Sequence, residues 1–186
     1  GQTVTEHLID RLKLANGFDK LIIGTSNDPR DRVFEKIAQE KNIEIYFGSK
    51  EDKLKRYLQI CNYYNLYAVV IVDGDDILCF PEICTITAKE MNNSKYDVVF
   101  WNGLPVGAAS SGIKKEALIK IMDMKEEKDT EVWGGYFRQS SEFKVLDKSI
   151  KDKKLYGPNI RMTLDYKEDY NFFKLIFDRL YIKNHN

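Results

Sequence analysis

Short, almost wholly apolar runs alternate with charged amphipathic segments along the first half of the chain, and this alternation narrows the fold before any motif is considered. The runs are KLIIGT (Lys20 to Thr25), IEIYF (Ile43 to Phe47), LYAVVIVD (Leu66 to Asp73) and YDVVFW (Tyr96 to Trp101). Runs this short, with little polar alternation, suit strands buried on both faces, as in a parallel sheet. The segments between them have helical spacing. Val4, Leu8, Ile9 and Leu12 share one helix face ahead of Gly17, a good C-terminal stop. Asp28 reads as an N-cap with Pro29 at the first helical position and Val33, Ile37 and Ala38 along one face. Further helices are predicted over 51–64 and 81–91. Strands alternating with such helices predict an α/β fold of three layers, a mostly parallel Rossmann-type sheet with helices on both faces.

After Trp101 the pattern loosens. GLPVGAASSG reads as small and flexible, KKEALIKIMD (Lys114 to Asp123) as a helix, and EKDTEVWGGYFRQ fits helix or loop equally. FKVLDK and NIRMTLD read as strands, and KEDYNFFKLIFDRLYI (Lys167 to Ile182) as a closing amphipathic helix. No repeat or linker divides the chain, so one domain spanning 1–186 is expected.

Composition removes several function classes. Twenty-nine basic residues balance 29 acidic ones, which argues against a nucleic-acid partner. No apolar run approaches the length of a membrane span, and the start lacks a signal-peptide core, so no membrane partner and a cytoplasmic setting are expected. Cys61, Cys79 and Cys84 have no CxxC spacing and read as reduced thiols. With His7 and His185 the only histidines, catalysis by histidine and a zinc site are both disfavoured.

The chemistry concentrates in IVDGDDILCFPE (Ile71 to Glu82), where Asp73, Gly74, Asp75 and Asp76 follow the oiliest strand. In open α/β sheets ligands bind outside the carboxyl ends of the strands. Clustered carboxylates repel unless solvent, protonation or a cation relieves them, and hard oxygens suit Mg²⁺ bridged to substrate phosphates. Gly74 would let the backbone pass close to a ligand. The plainer alternative is a solvated turn whose aspartates cap the next helix. An EF-hand loop is excluded, because the twelfth position from Asp73 is Cys84 where glutamate is required. A second acidic element, LDYKEDY (Leu164 to Tyr170), also lies between a predicted strand and a helix. It reads either as an N-cap with an acidic first turn or as a second contributor to the same cation site.

The order of these elements, GTSNDPRDRVFEKIAQEKNIEIYFGSKEDKLKRYLQ, then VDGDDILCFPE, then RMTLDYKEDYNFF, resembles the cytidylyltransferase superfamily of sugar activation. The likeness is strongest to the spore coat polysaccharide biosynthesis protein F type, and the CMP-sialic acid and CMP-ketodeoxyoctulosonate synthetases are more distant. It runs from Gly1 to about Tyr170 and is thin between Asn102 and Asn159. The resemblance implies transfer of CMP from CTP to a sugar with release of pyrophosphate, and Mg²⁺ as cofactor. Gly74-Asp75, Leu78 and Pro81-Glu82 match the family's metal-binding strand end, with Ile77 where a proline is usual. Asp75 is therefore implied as a metal ligand, completed by Asp165 of the late acidic element. Ser49, Asp52 and Arg56 match a segment beside the nucleotide, Thr25 and Ser26 one near the base or ribose, and Glu131 and Arg138 one near the sugar. Homodimers are common among such relatives, with YNLYAVV or the final helix as candidate faces.

The front of the chain departs from the family pattern. GQTVTEHLIDRLK aligns where relatives have already passed a buried strand and an arginine-, glycine- and lysine-bearing loop that cradles the triphosphate. The expectation is that this first strand and loop are missing from the sequence rather than from the natural protein, because a central sheet position would otherwise stand empty. Two other readings stay open. VDGDDILCFPE also resembles the metal-binding DxD element of inverting glycosyltransferases that use nucleotide sugars. A degenerate, non-catalytic nucleotide- or partner-binding domain would need no phosphate loop.

Overall fold

In a computed structural model, which describes residues 1–93, 95–127 and 129–181, the first helix opens on a capping box. The Thr3 hydroxyl accepts from the Glu6 amide at 3.3 Å and the Glu6 carboxylate accepts from the Thr3 amide at 2.6 Å. Helix α1 (Val4–Leu12) is followed by β1 (Ile22–Ser26), a 3-10 turn (Pro29–Arg32), α2 (Val33–Lys41), β2 (Glu44–Gly48), α3 (Lys53–Tyr63), β3 (Ala68–Ile71), α4 (Pro81–Asn92) and β4 (Val98–Asn102). Next come β5 (Ser111–Lys114), α5 (Lys115–Met124), α6 (Gly134–Arg138), β6 (Val145–Ser149) and α7 (Lys167–Ile176), which continues as a π-helical turn (Phe177–Tyr181). The predicted end of the closing helix at Ile182 lies outside the described residues.

β1 and β2 pair in parallel, Ile22 opposite Glu44 through Ser26 opposite Gly48. The other four strands form a sheet in the order β3-β5-β4-β6. β4 and β6 are parallel, while β5 runs antiparallel to both β3 and β4. The α/β class matches expectation, but β5 begins in the small-residue segment that reads as flexible and ends at Lys114, where a helix was expected. Its smallness has a packing cause. A Cβ on Gly112 would stand 2.7 Å from Met91 Cγ and 3.0 Å from Thr87 Cγ2, so the bare backbone is what lets α4 lie close against β5.

Period-two alternation sorts β3 between two helical layers. Val69 and Ile71 pack into the larger core, built from Leu54, Tyr57 and Cys61 of α3, Val98 and Phe100 of β4, and Leu118 and Ile121 of α5. Val70 and Val72 face the other way, onto Leu8 and Leu12 of α1 and Cys79 and Cys84 at the start of α4. β1 and β3 are not paired. Between them lies a cavity of about 400 Å³, lined by Ile22, Tyr57, Ile60, Val69, Ile71 and Met91 among others.

NIRMTLD, expected as a strand, makes a single bridge, Val106 to Arg161. Gly107 has φ 88, and a Cβ there would meet the Met162 carbonyl at 2.7 Å. Only glycine therefore fits the turn that fastens residues 160–164 beside the sheet. All three cysteines are free and buried. Among the described residues no helix is long and apolar enough to cross a membrane.

Candidate active site at the carboxyl end of β3

Beyond β3 the chain coils tightly. The Asp76 amide donates to the Asp73 carbonyl at 3.1 Å and the Cys79 amide to the Asp76 carbonyl at 2.9 Å. The result gathers Asp73, Asp75 and Asp76, each offering a carboxylate oxygen within 4.8 Å of the others. Burial pushes the Asp76 carboxyl up to about 7, and the neighbouring charges of Asp75 and Asp73 add to the rise. Asp75 is raised as well, by burial first and then by Asp73 and Asp165. Gly74 is exposed, with open space where a Cβ would project. Its neighbours do not require a glycine, and the space beside it is open to a ligand.

The late acidic element comes to the same place. The Leu164 amide donates to the Asp75 carbonyl at 3.0 Å, which brings Asp165 near enough for its charge to raise both Asp75 and Asp76. Asp165 itself accepts from Thr163 Oγ1 at 2.7 Å and forms an ion pair with Arg161, whose other amino group reaches Asp169. Asp169 also accepts from the amides of Asp165 and Tyr166, at 3.0 and 2.9 Å, and so serves as the acid at the start of α7. Arg161 and these amides hold its carboxyl below the usual range, Arg161 contributing most. The Asp165 segment is thus tied to the backbone of Asp75. The tightest carboxylate group, however, is Asp73, Asp75 and Asp76.

The remaining sequence-predicted residues divide by what they touch. The hydroxyls of Thr25 and Ser26, at the end of β1, both donate to Asp31 Oδ2, at 2.7 and 2.6 Å. The Ser49 carbonyl accepts from Arg56 Nη1 at 2.8 Å, and the buried Arg56 Nε has no hydrogen-bond partner. Asp52 is buried as the N-cap of α3. It accepts from the Lys55 amide at 3.0 Å, from Thr130 Oγ1 at 2.8 Å and from Lys125 Nζ at 2.6 Å. Burial pushes its carboxyl up, but Lys125, the Lys55 amide and Thr130 outweigh that and hold it below its ordinary value. These contacts are structural. Arg138 pairs with Asp147 at 2.6 Å and lies over the Phe100 ring at 3.9 Å, while Glu131 pairs with Lys53 at 2.8 Å.

Lys53 escaped sequence reasoning. It is the first residue of α3, where the helix dipole disfavours a cation, and its side chain is only 13% exposed. That mismatch is the signal that could have drawn attention to it. Its ammonium also lies 3.2 Å from Asp73 Oδ1.

No family model matches the chain. It is 22% identical over 163 residues to the spore coat polysaccharide biosynthesis protein SpsF of Bacillus subtilis, covering 87% of this chain and 68% of that protein. Its fold superimposes on a cytidylyltransferase from Leptospira borgpetersenii with a TM-score of 0.85 at 19% identity, over 95% of this chain and 76% of the other. A CMP:2-keto-3-deoxy-manno-octonic acid synthetase complexed with CTP gives a TM-score of 0.71 at 9% identity, over 96% and 89% of the two chains. The chain thus has the fold of these cytidylyltransferases. In this cytidylyltransferase-type fold the acidic turn occupies the place where open α/β sheets take their ligands, beyond the carboxyl end of β3.

Proposed function

We propose that the chain is a sugar nucleotidyltransferase that moves CMP from CTP to a sugar hydroxyl and releases pyrophosphate. The observation that carries this reading is the convergence of Asp73, Asp75 and Asp76 with the Asp165 segment at the end of β3. Burial, together with the charges of Asp73 and Asp165, raises the proton affinity of Asp75 and Asp76 there, so the turn gains from a cation. Its donors are hard oxygens, the set that suits Mg²⁺ carried in with substrate phosphates. Asp75, common to the tight carboxylate group and to the Asp75–Asp165 pair, is the central ligand in this reading. Mg²⁺ held there would supply positive charge to the phosphate oxygens.

The protein's own contribution is alignment and electrostatics. The sugar oxygen attacks the α-phosphorus, a new P–O bond forms, and the bond to the β-phosphate oxygen breaks as pyrophosphate leaves. The open space beside Gly74 leaves room for phosphate over the turn. Thr25 and Ser26, with Ser49 and Arg56, line the neighbouring strand ends where a nucleoside would lie in this reading. The sugar would lie on the Glu131 side, where Lys53 ties that loop to the acidic turn.

The test is calorimetric titration of the complete chain with CTP and Mg²⁺, beside GTP, UTP and ATP, repeated with Asp75→Ala. Magnesium-dependent binding of CTP that disappears in the variant is the expected result. Binding of a nucleotide sugar in place of every triphosphate would favour a glycosyltransferase, to which the same acidic turn lends itself. Binding of neither would refute the enzymatic reading.

A further inference from the structure

Lys53 is placed at a cost. Its side chain is 13% exposed, so the ammonium has given up most of its water, and it stands at the end of α3 where the helix dipole repels it. Asp73 at 3.2 Å and Glu131 at 2.8 Å offset that cost. Burial lowers the proton affinity of the ammonium, yet the two carboxylates more than restore it, so it stays charged. Its field also reaches past Asp73 and opposes the rise in both Asp75 and Asp76. The three residues come from separate parts of the chain: α3, the strand-end turn and the loop before α6.

We propose that Lys53 is a phosphate-binding residue of the nucleotide site, held in position by Asp73 and Glu131. The inference rests on the nucleotide reading above and adds to it a positively charged group that the resemblance did not supply. An Asp73 oxygen that turned toward a cation shared with Asp75 and Asp76 would be withdrawn from Lys53, because Asp73 belongs to both sets. A phosphate bound beside the turn would offer replacement oxygens, and the Lys53 ammonium would exchange a carboxylate for a phosphate oxygen. Lysine suits this exchange because its ammonium is a compact charge on a flexible stem that needs no fixed fork geometry. Glu131, 71% exposed on its loop, keeps the ammonium aimed at the turn while the exchange takes place.

The charge of Lys53 therefore has opposite effects on the two ligands, and Lys53→Met separates them in the full chain while keeping an apolar stem of similar length. Titrated with Mg²⁺ alone, the variant is expected to bind several-fold more tightly, because a repelling cation has gone. Titrated with CTP at saturating Mg²⁺, it is expected to bind about 10- to 100-fold more weakly, the loss of one charge-assisted hydrogen bond to phosphate. Lys53→Arg should restore most of the CTP affinity. Unchanged or tighter CTP binding in Lys53→Met overturns the proposal, leaving Lys53 a counter-ion to the aspartates. Weakening of Mg²⁺ and CTP binding by similar factors also overturns it, since that is the mark of a purely structural tie. Failure of the wild-type chain to bind any triphosphate would refute the nucleotide reading and this inference together. Wild-type CTP binding with no loss in the methionine variant would refute this inference alone.

Discussion

Asp76→Asn tests the electrostatics of the acidic turn without any ligand. The Asp76 carboxyl titrates near 7 in the folded protein against an ordinary value of 3.8. Between those two pH values the folded state holds a proton that the unfolded chain has released, so this group makes the protein less stable as pH rises, and the loss is complete above pH 7. At 1.36 kcal/mol per pH unit the full span is on the order of 4 kcal/mol, of which about 1.6 kcal/mol has been lost by pH 5. Asparagine keeps the shape and never ionises. Urea unfolding of the two proteins should therefore give a stability gain for Asp76→Asn of about 1.6 kcal/mol at pH 5, growing to about 4 kcal/mol at pH 8. Added Mg²⁺ should narrow the gap at pH 8, because a cation relieves the repulsion only where the charge remains. A gain that is flat with pH, or a loss at pH 8, would mean that Asp76 is ionised and satisfied at neutral pH, and the argument for a cation-seeking turn would fail.

Two further variants test the scaffold that positions the site. Asp52→Ala removes the N-cap of α3 and strands Lys125, whose side chain is 4% exposed, and should lower stability by about 3–5 kcal/mol in urea unfolding. A loss below about 1 kcal/mol would mean that Lys125 finds water on its own. Gly107→Ala places a Cβ against the Met162 carbonyl at positive φ and should cost about 1–3 kcal/mol. It should also speed hydrogen exchange at the Met162 and Leu164 amides, which bond to Val106 and Asp75. Unchanged protection there would show that Gly107 does not hold the Asp165 segment.

The alternation of apolar runs and amphipathic helices made the three layers legible, and strand ends fell within a residue or two of their predicted places because burial on both faces leaves few ways to read LYAVVIVD or YDVVFW. β5 was not legible. Its Gly112 is there to admit α4, and close packing by absence of a side chain has the same signature as a loop. NIRMTLD misled for the converse reason: its apolar alternation serves a single bridge and a backbone tie to Asp75, not a strand. At the site, the aspartates stood out by their position after the oiliest strand. Asp52 matched a nucleotide-side motif, yet its carboxylate is spent on a cap and a buried lysine, and no local pattern announces a partner 73 residues away in the chain.

The plain explanation of Asp73, Asp75 and Asp76, that they cap the helix after them, does not survive the geometry. The N-cap of α4 is Phe80, with no side-chain hydrogen bond, and Pro81 fills the first turn. A merely solvated turn would leave each carboxyl near its ordinary value, whereas Asp76 is driven to about 7 by burial and by its own neighbours. The corresponding explanation does hold for Asp169, which caps α7 and is held below the usual range by Arg161. Two acidic elements that look alike in sequence thus differ in kind. In the later one, Asp169 has used its charge on backbone amides and an arginine. The other keeps three carboxylates together with Lys53 as their nearby cation, and such an arrangement makes physical sense where a cation and its phosphate ligand complete the balance.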